Sequence, residues 1–206
     1  MRFSGIVPAA GAGIRFGGRK QEALLRGRPV WQWARDMLLA AGAEPVVVVG
    51  SVPGGVPGGK RRRDSVAAGL ALVPSDVPYV LVHDAVRPLA TAALASRVLA
   101  RLIAGGADAV VPALPVRDTI KRVDGEVVLA TVERSGLVAV QTPQGFRTEA
   151  LRAAILEDDG DVTDEAALIE RAGGAVTVVL GESTNLKVTF PEDLLVVEAL
   201  AGEAGR

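Results

Sequence analysis

Short apolar runs rich in valine and isoleucine alternate along the chain with longer stretches in which apolar residues return every three to four positions. Runs of the first kind suit strands buried on both faces, and stretches of the second kind suit helices laid across them. Their alternation predicts parallel strands joined by crossover helices. The first strand ends at Ile6-Val7, and Pro45 to Val49, Tyr79 to Val82, Ala109 to Val111 and Val176 to Leu180 follow. Pro29 can open a helix carrying Trp31, Ala34, Leu38 and Ala41 at helical spacing, and Gly42 can end it. Further helices are expected from near Ser65, over Leu94 to Ile103, Thr148 to Leu156 and Thr163 to Ala172, and finally over Pro191 to Leu200.

Two segments break this rhythm. Gly50 to Gly59 is too rich in glycine and proline for regular structure and reads as a surface loop. Residues 116–140 contain two alternating apolar and polar pieces around Asp124-Gly125, a hairpin turn signal, and so predict an extended β arm. There is no internal repeat, and 206 residues suffice for one sizeable core. The expected fold is therefore α/β, a Rossmann-like, mostly parallel sheet flanked by helices, in one domain over residues 1–206 with a protruding β arm.

Composition narrows the chemistry. The chain has no cysteine and a single histidine, His83, which excludes thiolate metal sites, cysteine nucleophiles and histidine-rich metal centres. With 23 basic and 24 acidic residues the net charge is −1, so no global field points to nucleic acid or membrane. The N-terminal apolar stretch is too short for a signal peptide and no run approaches a membrane span, so a cytoplasmic protein is expected. The cluster Lys60-Arg61-Arg62-Arg63 reads as a solvated face, with attraction of polyphosphate as the alternative, and Trp31 and Trp33 read as packing residues.

Candidate chemistry begins at Pro8 to Lys20, a glycine-rich segment directly after the first strand. Small residues there let backbone N–H groups approach phosphate oxygens, and Arg15 and Lys20 supply countercharge. Two familiar nucleotide motifs fail. A dinucleotide fingerprint needs glycine where Phe16 stands and an acid where Gly50-Ser51 stands, and a P-loop needs Lys then Ser or Thr where Arg19-Lys20 stand. In an open parallel sheet the ligand crevice lies beyond the strands' carboxyl ends, so the Pro8 segment and His83-Asp84-Ala85-Val86-Arg87-Pro88 are expected to face one cleft.

Taken in order, Pro8 to Arg15, Lys20-Gln21, Asp64-Ser65, His83 to Pro88, Val116 to Lys121, Gln141-Thr142-Pro143-Gln144, Thr163 to Ala166 and Asn185 to Thr189 resemble the 2-C-methyl-D-erythritol 4-phosphate cytidylyltransferase family, among the sugar- and polyol-phosphate nucleotidyltransferases. A sister family that makes CDP-ribitol is similar over the first half, so ribitol 5-phosphate or another polyol phosphate is an alternative acceptor. A non-catalytic nucleotide-binding module is the alternative of another kind. The resemblance implies attack of a sugar-phosphate oxygen on the α-phosphorus of CTP, with a divalent cation such as Mg²⁺.

It further implies that Arg15 and Lys20 stabilise the transition state, that Ala9, Ala10, Gly11 and Gly13 hold CTP through their backbone, and that Gly59 and Ser65 lie near the base with Ala85 near the ribose. Ser65 equally fits as the cap of a helix beginning at Val66. Asp84 would bind Mg²⁺ or the acceptor hydroxyls, with a salt bridge to Arg87 as the competing reading. Lys187 would contact phosphate. Arg87, Thr142 and Thr163 would contact the sugar phosphate, although Thr163 also fits as a helix cap. Thr119 and Arg134 lie in the expected arm, which in the family reaches across a homodimer to complete the partner's site.

Overall fold

Neighbouring residues of the central strands belong to different cores. The computed structural model describes residues 1–11, 13 and 16–203, with Glu203 described by its backbone alone. β1 (Phe3–Pro8) is followed by a 3₁₀ turn at Lys20–Glu22, a small hairpin of β2 (Leu24–Leu25) and β3 (Arg28–Pro29), α1 (Val30–Ala40), β4 (Val46–Val49), α2 (Arg62–Leu70), β5 (Tyr79–Val82) and α3 (Ala92–Ile103). The second half contains β6 (Ala109–Pro115), β7 (Ile120–Asp124), β8 (Val127–Val132), β9 (Val138–Val140), β10 (Gln144–Arg147), α4 (Thr148–Glu157), α5 (Ala166–Arg171), β11 (Val176–Leu180) and α6 (Pro191–Glu203). The main sheet has the order β11-β6-β10-β5-β1-β4, with β9 added antiparallel to β6. β4, β1, β5, β6 and β11 share one direction, and β10 runs against them between β5 and β6.

The period of two along a strand sorts side chains to opposite faces. Ile6, Val47, Val49, Val80, Val82 and Val111 join Val66, Leu151, Leu168 and Ile169 from α2, α4 and α5. Val7, Val48, Leu81 and Val110 meet Trp31, Leu38, Ala95 and Leu102 from α1 and α3. A third cluster seats Val197 and Ala201 of α6 against Leu25, Val30, Val86 and Val188, which ties the C-terminal helix to the loop after β5. Trp31 is buried as packing predicts, and Trp33 packs against this third cluster and donates from Nε1 to the Leu25 carbonyl.

β10 is absent from the hydrophobic pattern because Gln144, Gly145 and Arg147 leave Phe146 as its one large apolar residue. Its place comes from pairing on both sides, with Phe146 opposite Val80 and Ala109. Complete burial of Phe146 contributes roughly 2 kcal/mol. α2 starts at Arg62 rather than near Ser65, since the Asp64 carboxylate accepts the Arg61 N–H at 3.1 Å and sets the first turn. α5 starts at Ala166, where Asp164 Oδ1 accepts the Ala167 N–H at 3.2 Å, so Asp164 and not Thr163 makes the side-chain bond at that helix start.

The arm is the β7–β8 hairpin, turned at Gly125 with φ 54°. Val123, Val127, Val128 and Leu129 stand exposed on it. Its alternation therefore buries no apolar face within this chain.

Candidate active site

β1 and β5 are adjacent and parallel, so the loops that leave Pro8 and Val82 open side by side at the carboxyl edge of the sheet. Between them lies a cleft of about 220 Å³, lined by Ala9, Ala10, Gly11, Lys20, Gly59, Ser65, Asp84, Ala85 and Lys187 among others. Eight of these were expected on nucleotide or phosphate, and Asp84 on Mg²⁺ or the acceptor hydroxyls. Gly50 makes the first wall possible: at its φ of 152°, a Cβ would fall 2.5 Å from the Ala9 carbonyl group. Gly13 acts differently from its neighbours. Its carbonyl accepts the N–H groups of Phe16 and Gly18, at 2.9 and 3.3 Å, and closes the loop on itself, while Gly13 does not line the cleft. Arg15 lies outside the described residues.

Ser65 sits in the first turn of α2, where its hydroxyl accepts the Gly59 N–H at 3.2 Å and donates to the Arg61 carbonyl at 3.3 Å. It therefore does not cap a helix at Val66. It fastens the glycine pair of the long loop to α2 and so holds that wall of the cleft.

A second pocket of about 200 Å³ adjoins the first. Arg87, Thr142, Gln144, Thr163 and Asp164 line it, and it shares Arg62, Asp84 and Lys187 with the cleft. Those three side chains form the partition between the two spaces. Arg62 Nη1 stands 2.6 Å from Asp84 Oδ1, Lys187 Nζ is 2.8 Å from Oδ2, and Arg87 Nε is 3.5 Å from Oδ2. The expected Asp84–Arg87 ion pair is thus present, as one of three. Burial alone pushes the Asp84 carboxyl up, but the charges of Arg62, Lys187 and Arg87 outweigh it and hold the group well below the usual carboxylate range.

Arg61, Arg62 and Arg63 do not form the solvated face that the charge run suggested. Arg63 is buried, bonded to Asp159 Oδ1 at 2.8 Å and to the Ile155 carbonyl at 2.6 Å. Arg61 pairs with Asp64 and Asp159, both at 2.8 Å. Arg62 reaches past Asp84 to Glu165 Oε2 at 3.0 Å, and burial pushes the Glu165 carboxyl up despite that partner. The helix start at Arg62 is the reason: it turns one arginine toward the cleft and the next toward α4. Arg62 carried no sequence signal beyond charge, and Glu165 only its place in the Thr163 to Ala166 segment.

His83 is fully buried beneath the partition. A carbonyl only accepts, so Nε2–H donates to the Arg87 carbonyl (3.1 Å), Nδ1 accepts the Thr142 hydroxyl (2.9 Å), and Thr142 Oγ1 accepts the Asp84 N–H (3.0 Å). The neutral imidazole thereby fixes the backbone at Asp84 and Arg87 and uses the Thr142 hydroxyl proton. Asn185, also buried, donates to the Thr142 carbonyl and receives Arg87 Nη1 on its own carbonyl, each at 2.8 Å. Burial, only partly opposed by Asp84, pushes the His83 imidazole down to about 4 from its ordinary 6.5. A depressed folded value means that this contribution to stability is complete above 6.5 and is lost as pH falls toward 4. The loss at pH 4 is expected to be about 3 kcal/mol. Chemical denaturation from pH 7.5 to 4 checks it: a His83→Gln variant should lose correspondingly less stability, and parallel curves would show that the imidazole does not titrate there.

Thr119 and Arg134 line neither pocket. Both are exposed on or beside the arm, and the Arg134 guanidinium bonds to the Arg117 carbonyl. Donors for a metal are sparse. Among the described residues, no group of three or more His, Asp or Glu side chains is placed to hold one. Among the described residues Asp84 is the one carboxylate lining the cleft, and each of its oxygens already faces a cation. It acts as a counter-ion and would have to release a cation to ligate magnesium. The arrangement does not fit a metal centre built by the protein alone.

A strand-end cleft bounded by glycines and a cation, sharing a charged partition with a second polar pocket, is an arrangement that suits a nucleotidyltransferase. A family model described as 2-C-methyl-D-erythritol 4-phosphate cytidylyltransferase matches residues 3–203. The chain belongs to this family. It is 47% identical over 215 residues to the cytidylyltransferase of that name from Rhodococcus opacus, covering 96% of this chain and 94% of the relative. It is 44% identical to the one from Nocardia farcinica, covering 95% and 92%. The crystal structure of the Thermus thermophilus enzyme of the same name superposes with a TM-score of 0.84 at 36% identity, covering 98% of this chain and all of that one.

Proposed function

We infer that this chain transfers the cytidylyl group of CTP to 2-C-methyl-D-erythritol 4-phosphate, forming CDP-methylerythritol, an isoprenoid precursor, and releasing pyrophosphate. The observation that carries this reading is the partition itself. Lys187 lines both spaces, so a phosphate held by it from the second pocket would stand next to the α-phosphorus of a nucleotide lying in the cleft. An acceptor phosphate oxygen then attacks in line, the new P–O bond forms as the bond to pyrophosphate breaks, and the electron pair leaves with pyrophosphate. No proton transfer is needed, so the protein's work is positioning and charge stabilisation.

In this reading Lys20, which lines the cleft, faces the developing charge, and Arg15 is proposed as the second cation that stabilises it. The backbone of Ala9 to Gly11 holds phosphates, Gly59 and Ser65 bound the base, and Ala85 lies at the ribose. Arg87, Thr163 and the Thr142 region receive the acceptor. A divalent cation enters with the CTP phosphates, in keeping with magnesium's preference for phosphate oxygens. Among the described residues no helix is long and apolar enough to cross a membrane, and a cytoplasmic enzyme is proposed.

The assay is pyrophosphate release with CTP and, in turn, methylerythritol phosphate and ribitol 5-phosphate. Release with the first alone supports the assignment, faster turnover of ribitol 5-phosphate favours the sister activity, and no release with either leaves a non-catalytic binding module.

We also propose a homodimer through the arm, in which the partner copy's arm supplies Thr119 and Arg134. Four exposed apolar residues on β7 and β8 support this. Changing Val127 and Leu129 together to Glu is expected to give a monomer by light scattering and to lower kcat/KM at least about tenfold. A fully active monomer would refute the shared site.

A further inference from the structure

The partition contains a guanidinium that the transfer chemistry does not use. Arg62 projects from α2, with Nη1 at 2.6 Å from Asp84 and Nη2 at 3.0 Å from Glu165. Both carboxylates are buried, their side chains 5% and 0% exposed, whereas the Lys187 side chain on the far side of Asp84 is 41% exposed. The two cations nearest Asp84 therefore differ in kind. One is clamped between two buried acids on a helix, and the other sits on the loop before α6 with access to solvent and to both pockets.

An acceptor phosphate entering the second pocket competes with Asp84 for Lys187. If Lys187 were the main countercharge of Asp84, that exchange would leave a buried carboxylate uncompensated, which strongly opposes it. Arg87 does not fill the gap, because its Nε is 3.5 Å away and its Nη1 is held by the Asn185 carbonyl. We propose that Arg62 is a positioning residue, a resident counter-ion locked between Asp84 and Glu165 that keeps Asp84 neutralised while Lys187 passes to the acceptor phosphate. The proposal rests on the reading of Lys187 as a phosphate ligand. Glu165 prevents Arg62 from following the phosphate, since leaving would strand a second buried acid.

The test removes the clamp without orphaning its outer partner. In an Arg62→Met, Glu165→Gln double variant, Asp84 keeps Lys187 as its main cation, and the KM for the acceptor is expected to rise about 10- to 100-fold, with a smaller change in the KM for CTP. Labelling of Lys187 by acetic anhydride, followed by peptide mass spectrometry without substrate, should slow in the same variant. Arg62→Lys, which keeps a cation on α2, should recover most of the acceptor affinity. A double variant with wild-type acceptor KM and wild-type labelling overturns the proposal, as does one that loses thermal stability alone. Lys187→Gln separates the two ideas: if it leaves the acceptor KM unchanged, the reading of Lys187 fails, whatever Arg62 does.

Discussion

Replacing Lys20 with Met is expected to lower kcat by about 10²- to 10³-fold with little change in thermal stability. Lys20 opens the 3₁₀ turn at Lys20–Glu22 and lines the cleft. In the transfer, negative charge gathers on the oxygens around the α-phosphorus and on departing pyrophosphate, so an ammonium fixed there gains more in the transition state than in the ground state. Such a change lowers kcat and kcat/KM together, and single-turnover pyrophosphate release at saturating CTP measures it directly. A normal kcat with a raised KM for CTP would show that Lys20 only binds substrate.

Asp84→Asn is expected to have the largest effect on stability, a loss of about 3–5 kcal/mol in urea denaturation at pH 7. The amide keeps the shape of the carboxylate, but it leaves Arg62, Lys187 and Arg87 facing one another around a buried site with Glu165 as the remaining acid bonded to Arg62. The pH dependence follows from direction. The folded carboxyl is held far below its ordinary value, so its contribution is complete above the unfolded value near 3.9 and is lost only as pH falls below it. The difference between wild type and variant should therefore stay constant from pH 7 to pH 5. A loss under about 1 kcal/mol, the size of an exposed pair, would show that the partition is not a strongly coupled charge cluster. Transfer should fall as well, because Lys187 and Arg87 lose the anion that orients them.

The strands read from valine and isoleucine runs form the sheet because alternation reports burial within a single element. β1, β4, β5, β6 and β11 all follow from it, and so does the hairpin from Asp124-Gly125. β10 does not, since a strand with one large apolar residue is held by its two neighbours and has no pattern of its own. Helix starts shifted where a side chain took over a backbone group. Asp64 moved α2 forward to Arg62, and Asp164 displaced Thr163 at α5.

The same division runs through the site. Glycines after a strand, with Lys20, Asp84 and Lys187 standing at loop positions, carry their chemistry in residue type, and the structure gathers these three side chains around one cleft. Arg62 looked like one charge in a basic run. Its role depends on Glu165, 103 residues away, brought close by the packing of α2 and α5 on the same face of the sheet. His83 read as an isolated imidazole until the Arg87 carbonyl fixed its tautomer and Thr142, 59 residues on, supplied the hydroxyl that donates to its Nδ1. Sequence by itself determined the strand and helix alternation, the glycine-rich segment after β1 and the cations available to it, because each is a local property of residue type and spacing. Tertiary structure alone decided which arginine is buried, which carboxylate each cation meets and which hydroxyl is already engaged, because these depend on distances between elements that no local period records.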